Sequence, residues 1–214
     1  GKLYGDLIVV ATGGTTTENG AALTLPAGAT LRAPALGVAV GEQHTTQVNP
    51  ASDLVLAVGL ARTAANKDGG FAASVARAHA LVREHLEVDP VAVAPAALDA
   101  TTTLTEPVKL ALFLRGLGTL AATIAAEQSL TAVALNSRTL HDRVIDDASS
   151  AEAQLDGVGK AGGNALTLGP SCALPMGCTT EGAPMCVALC WVETNTLRAR
   201  VAAGALAFLR SPAN

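Results

Sequence analysis

The sequence predicts an α+β or α/β fold in which one domain spans all 214 residues. Near the N-terminus, short apolar runs alternate with glycine and proline, a pattern typical of strands joined by turns. In the middle of the chain, apolar residues recur at the period of a helix between further apolar runs. A chain of this length can bury one substantial core. We therefore expect a β-rich segment at 1–60, an α/β sandwich at 53–136, and a helix, a hairpin and a C-terminal helix at 137–214.

The β-rich segment begins with Leu7–Ala11, a continuous apolar run that contains the β-branched residues typical of strands. Residues 20–41 then alternate apolar and small side chains. A turn is expected at Pro26-Ala27-Gly28, because proline presets φ and glycine accepts positive φ. Pro34 has no backbone N–H, so its strand should lie at a sheet edge or begin after it. The polar stretch 44–53 predicts a loop.

The central segment predicts a ferredoxin-like β-α-β-β-α-β unit. One helix is indicated by five apolar residues at helical spacing between Gly69-Gly70 and Asp89-Pro90: Phe71, Val75, Ala78, Val82 and Leu86. A second helix follows from Leu117, Leu120 and Ile124. Strands are expected at four apolar runs: Leu54–Val58, Val91–Ala94, Val108–Leu114 and Leu130–Leu135. The third run fits the start of a helix equally well, so residues 108–128 form either a strand plus a helix or one helix.

The last third begins with a predicted helix from Thr139 to about Leu155, with Leu140 and Val144 facing inward. A glycine-rich stretch and a cysteine-bearing hairpin follow. A closing helix is predicted from Asn195 to Arg210, because asparagine is a favoured N-cap and Pro212 ends the pattern.

The composition favours self-association. Half of the residues are apolar and 15% are charged, whereas roughly 25% is typical. The net charge of -4 provides little repulsion between molecules. Basic residues are dispersed and aromatic residues are rare, so we expect no direct contact with nucleic acid. Membrane insertion is not expected, because the most apolar segment, Val108–Ala126, contains Lys109 and Arg115.

The stretch VVATGGT, from Val9 to Thr15, resembles the N-terminal signature of the bacterial-type L-asparaginases. The resemblance implies that Thr15 supplies a nucleophilic hydroxyl. Those enzymes also carry a His/Thr-Gly-Thr-Asp-Thr motif and a downstream lysine, but the stretch Ala100–Glu106 lacks the glycine and the aspartate. A threonine hydroxyl without an activating base is a weak nucleophile. We therefore interpret the two glycines as a turn between strands and keep Thr15 only as a candidate.

Other candidates for chemistry are Glu42 and His44, which neighbour each other in a polar, loop-like stretch. His79 and His85 lie six residues apart on one helix and cannot share a metal ion from that helix alone. His141 and the aspartates after it are expected on an exposed helical face, which involves Asp142, Asp146 and Asp147. The glycine-rich stretches 116–121 and 157–163 lack the full dinucleotide and P-loop patterns. We therefore predict no cofactor.

Four cysteines lie within nineteen residues near the C-terminus: Cys172, Cys178, Cys186 and Cys190. Their spacing lacks the Cys-x2-Cys pairs of common zinc sites. A hairpin folded about Glu181-Gly182 would bring Cys178 to Cys186 and Cys172 to Cys190, which allows two disulfides and implies an oxidising compartment. The other interpretation is four buried thiols in a cytosolic protein. Met176 and Met185 also allow a soft copper(I) site.

These patterns lead to two main functional hypotheses. The first is a structural subunit of a homo-oligomeric assembly, of the shell, coat or cement type, without catalytic activity. The second is a small-molecule enzyme or ligand-binding domain whose site lies between subunits, where the loops 12–19 or 41–47 meet a neighbour. A secreted protein held together by disulfides is a third possibility and depends on the cysteines. The location is expected to be cytoplasmic or an assembled particle, or extracellular if the cysteines are oxidised.

Overall fold

The computed structural model describes residues 3–18, 21–25, 28–98, 103–127, 135–148 and the single residue 205. The described parts contain strands β1 (Tyr4–Thr12), β2 (Thr15–Glu18), β3 (Ala21–Thr24) and β4 (Thr30–Ala39), followed by four helices. The helices are α1 (Pro50–Ala64), α2 (Phe71–Leu86), α3 (Glu106–Glu127) and α4 (Ser137–Ala148). The predicted mixture of α and β structure is therefore confirmed.

The strands form one long antiparallel ribbon, residues 4–18, 21–25 and 28–39, which we call the β-ribbon. In its proximal half, β1 pairs with β4 from Tyr4 opposite Ala39 to Thr12 opposite Thr30. In its distal half, β2 pairs with β3 from Thr15 to Glu18. The predicted strand at Leu7–Ala11 is confirmed as part of β1. Pro34 lies inside β4, and β4 has one neighbouring strand among the described residues, as expected for proline at a sheet edge.

Helix α1 corrects the prediction of a strand at Leu54–Val58 and of a loop before it. The helix starts at Asn49, whose side chain accepts hydrogen bonds from the N–H groups of Ala51 and Ser52. The Ser52 hydroxyl accepts in return from the Asn49 N–H, which completes a capping box. Pro50 occupies the first helical turn, where its missing N–H costs nothing. Residues 51–59 are all buried, and such an apolar run has no amphipathic period that separates a helix from a strand.

Helix α2 confirms the helix predicted between Gly69-Gly70 and Asp89-Pro90. Val75, Ala78 and Val82 are buried on the side that packs against α1. The two helices meet where α1 has a glycine. A Cβ atom on Gly59 would lie 2.7 Å from Val75 Cγ2 and 2.9 Å from Val75 Cα. Gly59 is therefore the residue that allows α1 and α2 to approach this closely.

Helix α3 shows that residues 106–127 form one helix, so the strand predicted at Val108–Leu114 is wrong and the one-helix alternative is confirmed. The strand predicted at Val91–Ala94 is also wrong, because these residues form a turn and an extended segment without a sheet partner among the described residues. Prolines at 90 and 95 flank that run and remove backbone donors that a ladder would need.

Helix α4 confirms the start of the helix predicted from Thr139, with Leu140 and Val144 buried. One core joins the four helices and includes Leu56, Leu120, Ile124 and Leu140. Strand β4 reaches this core through its contact with α1. Two of the predicted strands, Leu54–Val58 and Val108–Leu114, lie in helices, and a third, Val91–Ala94, is not a strand. The described residues therefore do not form a ferredoxin-like sandwich.

Several predictions lie outside the described residues. These are most of the strand Leu130–Leu135, the helix beyond Ala148, the cysteine-bearing hairpin and most of the closing helix.

Candidate functional site

Thr15 lies at a break in the β-ribbon. The two glycines before it have φ values of 66° and 110°, a conformation that favours glycine. The Gly13 N–H donates to the carbonyl of Ala29, and the Leu25 N–H donates to the carbonyl of Gly14. The chain therefore keeps its direction as it passes from β1 into β2. It does not reverse at the two glycines, as it would in the turn predicted there. Thr15 is exposed as the first residue of β2, opposite Thr24.

Glu42 and His44 are exposed in the segment that follows β4. The Glu42 N–H donates to the carbonyl of Ala39, which closes a turn at the end of that strand. This end of β4 pairs with the start of β1, whereas Thr15 lies beyond the other end of β1. The nine residues of β1 span about 30 Å at about 3.3 Å per residue. The structure therefore does not bring Thr15 together with Glu42 and His44 in one chain.

A buried polar network, Arg32–Asp53–His141, links three elements that the sequence does not place together. Asp53 in the first turn of α1 is buried, and its Oδ1 accepts from Arg32 Nε of β4 at 2.8 Å. Its Oδ2 lies 3.1 Å from His141 Nε2 of α4. His141 is buried as well, so the prediction that it lies on an exposed helical face is wrong. Asp142 does lie on the exposed side and pairs with Arg138.

The network stabilises the contact between the β-ribbon and the helices. A carboxylate beside an imidazole can orient that ring for proton transfer, but a general base must also reach a proton on a substrate. Asp53 and His141 each keep only 3% of their side chains exposed, so substrate access is blocked. Arg138 adds a further link, since its Nη1 donates to the carbonyl of Thr30 at 2.7 Å. We assign these groups to the attachment of β4 and α4.

A second polar cluster surrounds the turn after α2. His79 Nε2 lies 2.9 Å from Asp89 Oδ1, and the same oxygen accepts from the N–H groups of Val91 and Ala92. Burial raises the pKa of the Asp89 carboxyl, but the hydrogen bonds from Ala92 and His79 outweigh burial and leave that pKa below its usual value. The Asp89 N–H donates to Glu106 Oε2 at the start of α3. This cluster fixes the connection between α2 and α3.

The most unusual surface of the described residues is strand β1, which is exposed on both of its faces. Large apolar side chains that are between 38% and 74% exposed follow one another along and beside this strand: Leu3, Tyr4, Leu7, Ile8, Val9, Val10 and Val40. We call this set the apolar strip. Apolar residues scattered singly on a surface are ordinary, but a contiguous set marks an interaction site. The strand was predicted from the sequence, whereas its exposure was not.

Helix α3 is long and apolar enough to cross a membrane by length and composition. Its most apolar stretch is 56% buried inside the structure, and the core helix of a soluble protein meets the same criterion. Lys109 near its start bonds Glu87 at 2.7 Å.

The described residues contain no group of three or more histidine, cysteine, aspartate and glutamate side chains that could hold a metal ion. The four cysteines lie outside the described residues, so their pairing stays a prediction.

A scan against protein-family models and searches of curated proteins and of solved structures found no match to this chain. We therefore base its function on the geometry of the described residues.

Proposed function

We propose that this protein is a structural subunit of a homo-oligomeric assembly, of the shell, coat or cement type, and that it has no catalytic activity. The observation that carries this proposal is the apolar strip on β1. Each of its seven large apolar side chains is at least 38% exposed, and because alternate residues of a strand point to opposite faces, they make both faces of β1 apolar. Exposed apolar surface of this kind marks an interaction site.

The isolated geometry of the β-ribbon supports the proposal. A two-stranded ribbon is marginally stable in water unless a further strand or a helix covers it. β4 has such support, because α1 packs on it and Ala33 and Ala35 are buried. β1 has no comparable cover among the described residues, and β2 and β3 make their main contact with each other. A neighbouring subunit would supply the missing cover.

The low charge of the molecule supports the same conclusion. The net charge is -4 over 214 residues, so repulsion between copies is weak at physiological salt, where the Debye length is about 8 Å. Strand β1 carries one charged residue, Asp6, whose carboxylate accepts a hydrogen bond from the Gly37 N–H.

The native mass of the full chain tests the proposal. Light scattering behind a sizing column, with negative-stain images of the same fraction, should show a closed or filamentous particle of many copies. A monomer at all concentrations would overturn the proposal. A small oligomer that binds a metabolite would favour the ligand-binding hypothesis instead.

Alanine variants of the three candidate residues separate the two hypotheses. We expect Thr15→Ala, Glu42→Ala and His44→Ala each to leave the native mass and the particle images unchanged, because these side chains are exposed and lie outside the apolar strip. Thermal unfolding with and without a panel of small metabolites provides the second measurement. A ligand that stabilises the wild type but not one of these variants would show a binding site and contradict a purely structural role.

A further inference from the structure

The two edges of the β1–β4 ladder differ in their ability to pair with another strand. β4 contains Pro34, which lacks a backbone N–H, and its buried residues face α1. β1 contains no proline and no lysine, which are the residues that usually protect an edge. In an antiparallel ladder, alternate residues of each strand direct their N–H and C=O groups away from the partner. The outer edge of β1 is therefore the edge able to accept a further strand.

The single charge of β1 does not prevent such pairing. Asp6 Oδ1 accepts from the Gly37 N–H at 2.9 Å, next to the irregularity between Gly5 and Leu7. The carboxylate is therefore bonded within the ribbon. From Leu7 to Ala11 the strand is regular, apolar and exposed.

Strand β1 is complementary to itself about a two-fold axis. Antiparallel pairing of two identical edges requires an axis perpendicular to the sheet, so each opposite pair comes from the same face. An axis through Val9 places Ile8 opposite Val10 of the second copy and Val9 opposite itself. The same register places Asp6 opposite Thr12, so no like charges face each other. Pairs of β-branched side chains are favourable cross-strand neighbours.

We propose that the outer edge of β1 binds β1 of a second copy, which forms a continuous four-stranded sheet in the order β4-β1-β1-β4. This inference rests on the proposed function, because it names one contact of that self-association. A two-fold contact by itself closes a dimer, so a particle of many copies also needs a second, different contact between dimers. The sheet formed in this way exceeds the three strands needed for independent stability. It also places the apolar strips of the two copies side by side on each face of the new sheet, and these faces stay open to a further contact.

Hydrogen exchange measured at several protein concentrations tests the pairing directly. The probe is the set of peptides that cover residues 4–12 in the full chain, followed by mass spectrometry over about a hundredfold range of concentration. We expect the outward-facing amides of β1 to become protected as the concentration rises. Protection that is the same at all concentrations would show that another part of the same chain covers β1, and would overturn the inference.

A lysine at the two-fold axis gives the matching variant. Val9→Lys places two like charges opposite each other in the paired state, whereas in one copy this side chain is already partly exposed. We expect it to shift the native mass toward the monomer and to remove the concentration-dependent protection. The control is Leu104→Lys, an exposed leucine outside the β-ribbon, which should change neither measurement. Circular dichroism checks that both variants keep their helices.

The outcomes distinguish this inference from the proposed function. A wild type that remains monomeric overturns both. A wild type that assembles, together with a Val9→Lys variant that assembles equally well, overturns the β1 pairing and leaves the structural role intact. Assembly that is lost in Val9→Lys and kept in Leu104→Lys supports both.

Discussion

At the scale of single residues, the best-defined interaction is the network of Arg32, Asp53 and His141. We expect Asp53→Asn to lower the free energy of unfolding by about 2 to 4 kcal/mol, because it leaves the Arg32 guanidinium and the His141 ring without their buried anionic partner. We expect a loss of unfolding free energy near the lower end of what breaking a fully buried ion pair costs, because the Arg32 side chain is 31% exposed. Urea unfolding followed by circular dichroism measures the change.

The matched control is Asp142→Asn, which makes the same chemical change at an exposed aspartate that forms an i,i+4 pair with Arg138. We expect this control to change the free energy of unfolding by less than about 0.5 kcal/mol. Equal effects of the two substitutions would show that Asp53 does not support the fold as described.

The pKa of Asp89 predicts a dependence of stability on pH. The folded pKa lies below the unfolded value of about 3.9. The ionised carboxylate therefore stabilises the fold above that value, and this contribution is lost as the pH falls through the unfolded pKa toward the folded one. We expect the difference in unfolding free energy between the wild type and Asp89→Asn to shrink as the pH falls below about 4. A difference that stays the same at every pH would contradict this assignment.

At the scale of elements, the contact of α1 with α2 depends on Gly59. Alanine in a helix interior is favoured over glycine by about 1 kcal/mol, but overpacking a contact costs about 1 to 3 kcal/mol. One of the atoms that the new Cβ would meet is the backbone Cα of Val75 at 2.9 Å, which cannot move without the helix. We therefore expect Gly59→Ala to destabilise the protein by up to about 2 kcal/mol in urea unfolding.

A second substitution identifies the cause of that loss. Val75→Ala removes the Cγ2 atom at 2.7 Å but leaves the Cα atom in place. In the double variant, the added cost of Gly59→Ala should be smaller than in the wild-type background without vanishing. A cost that is identical in both backgrounds would show that the two residues do not clash.

The elements also show what the sequence reveals and what it hides. Helix α2 could be predicted, because one face is apolar and the others carry Arg77, Arg83 and Glu84. Helix α1 and the first half of α3 could not be told from strands, since their apolar residues form continuous runs without a helical period. The second half of α3 was predicted as a helix from the spacing of Leu117, Leu120 and Ile124. For α1, the pair Asn49-Pro50 followed by Ser52 was the available signal of a helix start.

The polar residues also differ in whether the sequence alone points to them. Thr15 and His44 attract attention in the sequence because they lie near glycines or in polar stretches. Asp53 does not, and His141 was considered only with the aspartates that follow it, because the contact between Asp53 and His141 joins positions that are 88 residues apart. Local patterns carry no information on such a pair until the helices are placed in space.

At the scale of the whole molecule, the helices enclose a core and the β-ribbon extends from it with the apolar strip exposed. Burying a large aliphatic side chain contributes about 1.5 to 3 kcal/mol, so covering several at once offsets the entropy that association costs. We therefore expect the protein to associate with itself.

Sedimentation equilibrium of the full chain, over about a hundredfold range of protein concentration, tests that claim most directly. We expect an average mass of at least twice the 21.3 kDa of one chain at the upper concentrations. We also expect Val9→Lys to lower this mass. A mass of one chain at every concentration would contradict self-association and require another cover for β1.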